Sequence, residues 1–399
     1  MSPRPFTLHI RMTKHCNADC SYCSSFEQVD TGRMSPESFE KAVQFIFGTA
    51  MKRLGVSPTH MTAQYLGGEI LTYPIADLTR CVSYLRDTAA QHGMGFMDGC
   101  QSNLIGSVAK VDGLYRLFNG RVGTSVDSRG QSRTVQGSAE KYRLIWQESD
   151  SFLRNNRSTP GAVFVLDKDG LENAEHEVKR ALLQGRAITL RPVFQGGTPG
   201  QQLLGAEDAR AVFMAAFEKW FMASPIIIEP FFSMAQHRLE ELSGNASSIG
   251  TACAFQSDCT KKSLSLEPNG DLYLCQEMAD AGLFRIGNAV TGECDLDTVE
   301  ALGSRSSNLH EDCRQCPYLA TCQGGCMFEA VQQGRGLSGK SYHCLSWKAL
   351  FASIDDGIKT FGAGAVREWL HRLDVRNRNA LNDGLAKLNQ VSLEECADA

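Results

Sequence analysis

The chain has 399 residues, 42% apolar and 21% charged, with a formal net charge of −5, and that length accommodates two or more domains, each with its own core. The acidic balance argues against a nucleic-acid-coating surface, no apolar run is long enough for a membrane span, and the stretch MSPRPFTLHIRMTKHC lacks the apolar core of a signal peptide. A cytoplasmic location is expected, and in a reducing compartment the fifteen cysteines point to metal binding or catalysis ahead of disulfides.

Residues 6–12 (FTLHIRM) read as a strand, followed by the loop KHCNADCSYC with Cys16, Cys20 and Cys23 in a C-x₃-C-x₂-C pattern. Ser35-Pro36-Glu37 opens a helix over 35–54, with Ser as N-cap and Pro at the first helical position. A second strand, 59–66, ends in Gly67-Gly68-Glu69. A helix over 76–92, a weak strand over 95–103, a strand over 120–127 and a helix over 137–149 come next. They are followed by a strand at 161–167, a helix at 171–184 and a strand at 187–194. Such alternation implies parallel strands with crossover helices, closing as a partial (β/α)6 TIM-like barrel over 1–230. In such barrels functional residues sit at the C-terminal ends of the strands. The cysteine loop, Gly67-Gly68-Glu69 and Ser102-Asn103 all fall there.

After a flexible loop at 196–200, a helix over 206–222 leaves the barrel. The stretch from about 250 to 345 is turn-rich and holds nine of the cysteines, and the segment 349–399 is helical and in parts amphipathic. Setting Cys294 aside, Cys253, Cys259, Cys275, Cys313, Cys316, Cys322, Cys326 and Cys344 suffice for two four-thiolate sites. Zinc takes four cysteines and so do [4Fe–4S] clusters, and spacing alone does not choose between them. Cys81, Cys100, Cys294 and Cys396 read as unligated thiols.

The N-terminal triplet, with Tyr22 before its last cysteine and a β/α barrel around it, resembles the radical SAM superfamily. That resemblance implies a [4Fe–4S] cluster held by Cys16, Cys20 and Cys23, with S-adenosylmethionine on the fourth iron. Gly67-Gly68-Glu69 matches the family's GGE motif, although Ile70 stands where Pro is usual. Asn103 matches the strand-three motif, Ser125 the strand-four hydroxyl, and Tyr22 the neighbour of the adenine; Arg133 or Arg143 would pair with the carboxylate. Cys259-x₁₀-Gly270-x₄-Cys275, the run Cys313–Cys326 and Cys344 resemble the SPASM extension. By that resemblance Cys253, Cys259, Cys275 and Cys326 hold one auxiliary [4Fe–4S] cluster, and Cys313, Cys316, Cys322 and Cys344 a second. The fold expected is α/β: the partial barrel, a cysteine-rich SPASM domain with its linking helix over 231–348, and a C-terminal helical segment.

SPASM proteins mostly modify peptides or proteins. The expected activity is hydrogen abstraction from a peptide, leaving a cross-link or oxidised residue in a ribosomally made product. The alternatives are a small-molecule dehydrogenase or epimerase and a formylglycine-type sulfatase maturase. Those maturases carry a basic Asp directly after the cysteine matching Cys275; here Gln276 follows, then Glu277, the candidate catalytic base. The first strand begins near residue 6, leaving no room before it for a leader-binding domain, so a separate leader-binding protein is a possible partner. An external electron donor such as flavodoxin or ferredoxin is the other expected partner, with no nucleic acid and no membrane.

Overall fold

The computed structural model describes residues 5–26, 32–193, 203–244 and 253–397. The expected loop 196–200, the end of the expected strand 187–194 and the Cys396 side chain lie outside the described residues.

Seven strands follow one another in parallel: β1 (Pro5–Arg11), β2 (His60–Leu66), β3 (Gly95–Ser102), β4 (Val122–Ser125), β5 (Ala162–Leu166), β6 (Ile188–Pro192) and β7 (Ile228–Glu229). Alternation decides their faces. Phe6, Leu8 and Ile10 of β1 are fully buried under the crossover helices, while Thr7 and His9 face the concave side and are only half-buried. Serine N-caps start several of these helices: Ser35 accepts from the Ser38 N–H, Ser107 from that of Lys110, and Ser138 from that of Lys141. The helix expected over 35–54 runs as Pro36–Phe45, a π-helical turn Ile46–Ala50, and Met51–Arg53. The helix expected over 137–149 extends across Ala139–Asn156.

Two departures from the expected six-stranded barrel matter for the site. Strand β7 has only two residues, too few to show an alternation in sequence. The larger departure is β8 (Ser263–Leu266), from the stretch expected to be turn-rich, which pairs in parallel with the free edge of β1. From it β9 (Asp271–Tyr273), β10 (Gly287–Asn288) and β11 (Glu293–Cys294) continue as an antiparallel meander, making one sheet of eleven strands. The cysteine-rich half is therefore anchored to the strand that carries the first cysteine loop.

The C-terminal helices close the other end. Trp347, on helix Cys344–Phe361, packs against Phe213 of helix Ala206–Trp220 with ring centroids 5.3 Å apart. Trp369, on helix Ala363–Ala397, packs on Trp220 at 4.6 Å and donates its indole N–H to the Ser224 carbonyl. Among the described residues no helix is long and apolar enough to cross a membrane.

Candidate cofactor and substrate site

Cys16, Cys20 and Cys23 lie half-buried on the loop after β1. The Cys23 N–H donates to the Cys20 carbonyl at 3.0 Å, closing a tight turn. Burial pushes the Cys16 thiol up to about 12, and Cys20 and Cys23 both act on it in the same direction. A second loop holds the first in place: Asp19 N–H donates to Thr134 O and Ser21 N–H to Ser132 O, both at 2.8 Å.

Gly67 and Gly68 follow β2 with φ of +81° and +53°. A Cβ at position 68 would stand 2.5 Å from the His15 carbonyl oxygen and 2.6 Å from that of Thr13. The glycine thus lets the β2 loop lie against the cysteine loop, where Glu69 N–H donates to His15 O at 2.8 Å. Replacing Gly68 by Ala is expected to push the two loops apart and, if Cys16, Cys20 and Cys23 hold one of three clusters, to cost the chain about a third of its iron. Iron per chain and the thermal midpoint, compared with wild type, check this; unchanged iron would sink it.

Glu69, 2% exposed, accepts from Leu71 N–H at 3.0 Å, Ser102 Oγ at 2.7 Å and Asn103 N–H at 2.6 Å. Burial raises its pKa, opposed by those three donors and by the charge of Arg133. A carboxylate offers about four acceptor positions, so one remains for a cationic group. Asn103 donates its amide N–H to Asn17 Oδ1 at 2.9 Å and towards Cys16 Sγ at 3.8 Å. The strand-three end is thereby tied to the cysteine loop.

The half-buried Tyr22 and the buried Arg133 and Tyr142 form a stack, with the Arg133 guanidinium 5.3 Å from the Tyr22 ring centroid and 5.8 Å from that of Tyr142. Among the described residues the Tyr22 hydroxyl and Arg133 Nε are buried without hydrogen-bond partners. Arg143 instead donates to the Gly130 carbonyl at 3.0 Å, on the loop that clamps the cysteines. Of the two arginines it is Arg133 that stands beside Tyr22 and Glu69. Ser125 ends β4 and accepts from Gln101 Nε2 at 3.3 Å.

The eight later cysteines fall into two groups. Cys259 and Cys326 each feel the charges of Cys253 and Cys275, while Cys322 feels those of Cys344, Cys313 and Cys316. Burial pushes Cys275 and Cys322 up to about 12 and raises Cys253, Cys259, Cys313, Cys326 and Cys344 as well. Cys313, Cys316, Cys322 and Cys344 line one pocket of about 70 Å³, with Lys340 and Lys348 at its wall. All cysteines with described side chains are free thiols, and among the described residues no three Cys, His, Asp or Glu side chains surround one shared ion position. A four-iron cluster suits separated thiols, since each thiolate binds its own iron. Thiols that bound iron would give up their protons in doing so.

Several site residues carried no sequence signal. Arg11, 1% exposed at the end of β1, donates to Glu267 at 3.0 Å and to Asp280 at 2.6 Å, and Lys14 pairs with Glu267 at 3.4 Å. Ser24, next to Cys23, donates to the other oxygen of Asp280 at 2.8 Å. This network joins the first cysteine loop to the short helix Gln276–Asp280 that follows Cys275. Glu277, on the same helix, pairs with Arg191 of β6. Arg191 also helps burial hold the neighbouring His9 imidazole at about 4. The concave face thus presents His9, Gln101, Ser125 and Arg191, a polar lining.

The eleven-stranded sheet with its cysteine-rich extension is a fold shared with solved structures of proteins that bind S-adenosylmethionine. Among solved structures, native anSMEcpe with bound AdoMet aligns with a TM-score of 0.71 at 16% identity, covering 89% of this chain and 99% of that one. The same protein with AdoMet and Kp18Cys peptide gives 0.71 at 17% identity with the same coverage. Streptococcus suis SuiB bound to S-adenosylmethionine gives 0.53 at 12% identity, covering 84% of this chain and 76% of SuiB. No family model and no curated protein matches the sequence.

Proposed function

We propose that the chain is a radical SAM/SPASM enzyme that modifies a peptide, forming a cross-link or an oxidised residue in a ribosomally made product. The observation carrying this reading is a cluster of three thiols, one short of a closed site, beside Gly67-Gly68-Glu69, Asn103 and the Tyr22–Arg133 stack. When bound, a [4Fe–4S] cluster and S-adenosylmethionine supply reductive cleavage to a 5′-deoxyadenosyl radical, which takes a hydrogen atom from the substrate.

In this reading Cys16, Cys20 and Cys23 hold the cluster. The spare acceptor position of Glu69 takes the amino group of S-adenosylmethionine, and Arg133 meets its carboxylate. Tyr22 walls the adenine side, and Ser125 offers a hydroxyl from β4. Arg143 supports this indirectly by holding the clamping loop. Cys253, Cys259, Cys275 and Cys326 hold one auxiliary cluster, and Cys313, Cys316, Cys322 and Cys344 the other. With four thiolates each, these two sites would leave no iron open to substrate, and the groups they hold would supply electron transfer. Glu277, poised beside Arg191 on the polar face, is the base that takes the substrate proton.

Support for a peptide substrate comes from the neighbours: anSMEcpe has been crystallised with Cp18Cys peptide and SuiB with its precursor peptide SuiA. A second reading, oxidation of Cys or Ser to formylglycine, draws on the likeness to anSMEcpe. Gln276 at the position directly after Cys275 weighs against it, because an amide does not accept a proton as a carboxylate does. An electron donor of the flavodoxin or ferredoxin kind and a separate leader-binding protein complete the proposal.

The reconstituted protein under reducing conditions is expected to convert S-adenosylmethionine to 5′-deoxyadenosine; failure to do so would overturn the reading. With a deuterated short peptide encoded beside the gene, label is expected in 5′-deoxyadenosine. Unlabelled 5′-deoxyadenosine would eliminate that peptide as substrate.

A further inference from the structure

Arg305 is 0% exposed, and its guanidinium is spent on backbone carbonyls. It donates to Gly324 O at 2.9 Å, Gly325 O at 3.1 Å, Gly339 O at 3.1 Å, and Leu337 O. Gly324 and Gly325 lie between Cys322 and Cys326, one from each tetrad, and both have positive φ, +85° and +72°. That backbone conformation aims both carbonyls at one cation. Among the described residues Arg305 has no carboxylate ion pair, and its Nε is buried without a hydrogen-bond partner. Glu329, a buried carboxyl within its field, is engaged by the Ser341 hydroxyl. A buried charge without an ionic partner is expensive. What stands around it is sulfur: Cys326 and Cys259 of one tetrad, Cys313 and Cys322 of the other, all act on its charge.

We propose that Arg305 is a positioning residue shared by the two auxiliary cluster sites, a buried cation whose charge is met by the thiolates of both tetrads and which holds both clusters at a higher reduction potential. The proposal rests on the reading that the tetrads carry clusters. The physical cause is simple. Reduction adds negative charge to a cluster, and a buried cation whose field reaches it through a low-dielectric interior favours the reduced state. Because one guanidinium faces both tetrads, its removal acts on both potentials together. Arg305 also braces the Cys322–Cys326 loop, so charge and geometry must be separated by experiment.

The test compares the reconstituted full chain with Arg305→Lys and Arg305→Gln by iron content and EPR-monitored redox titration. Lysine keeps the charge; glutamine keeps donors without it. The expected result is that both auxiliary signals move to more negative potential in Arg305→Gln, stay near wild type in Arg305→Lys, and leave the N-terminal cluster unmoved in both. Loss of auxiliary iron in the Gln variant alone also supports the role of charge. Wild-type potentials in both variants, or equal loss of auxiliary iron in both, would overturn it. If the unsubstituted chain shows no auxiliary signals, the cluster reading itself falls, and that outcome is told apart before any variant is made.

Discussion

Replacing Cys16, Cys20 and Cys23 together by alanine is expected to abolish S-adenosylmethionine cleavage and to remove about a third of the iron, leaving the fold in place. The fold survives because these thiols are only half-buried on a rim loop, while β1 is held by Leu8 and Ile10 in the core and by pairing with β2 and β8. Activity does not survive because these thiols sit on the loop bonded to Glu69 and Asn103, whereas Cys100, which also feels Glu69, is buried in β3. Iron per chain, the circular dichroism spectrum and 5′-deoxyadenosine formation check this together. If iron fell to nothing, the two later tetrads would not be independent sites; if it stayed unchanged, the triplet would hold none.

Arg11→Met is expected to produce the largest loss of stability, about 3–5 kcal/mol, the usual result of removing one partner from a buried ionic network. Burial works against the Arg11 charge, yet Glu267 and Asp280 together hold its pKa above the ordinary value. Without the guanidinium, two carboxylates exposed by only 3% and 6% keep Lys14 as their nearby cation. The sign with pH follows from Glu267, whose pKa burial already raises with Arg11 present. Losing Arg11 raises it further, so the folded state binds a proton more tightly than the unfolded chain. The variant's deficit should therefore be small below the ordinary carboxylate range and grow as pH rises through the raised value towards neutrality. Thermal melting of iron-loaded protein at mildly acidic and neutral pH measures it. A pH-independent deficit, or none, would show that the network is not held by charge. Because Ser24 and Gln276–Asp280 share this network, the variant should also loosen the first cysteine loop against the region after Cys275.

The most legible features in the sequence were those set by local chemistry. Cysteine spacing marked the ligand candidates, the Ser35-Pro36 start located a helix, and Gly67-Gly68-Glu69 marked the end of a strand. Alternating strands and helices announced a parallel sheet. Less legible were charges whose partners are distant in the chain. Arg11 reads as a stray cation in a strand until β8 docks on β1 and brings Glu267 and Asp280, more than 250 residues away, against it. Arg305 likewise looks like a surface residue of a turn-rich stretch, because its partners are carbonyls. Arg133 and Arg143 were equivalent candidates in sequence; packing alone put Arg133 between two tyrosines and turned Arg143 to a loop carbonyl.

By itself, then, the sequence determined which residue types meet the site and in what chain order, since spacing and turn chemistry act over a few residues. Only the tertiary structure decided which charges face each other. It joined the two cysteine-rich halves through the edge of β1, and it left Arg305 buried among thiols with no carboxylate bonded to it among the described residues. Those outcomes depend on burial, where the cost of an unpaired charge is set by whatever the fold places beside it.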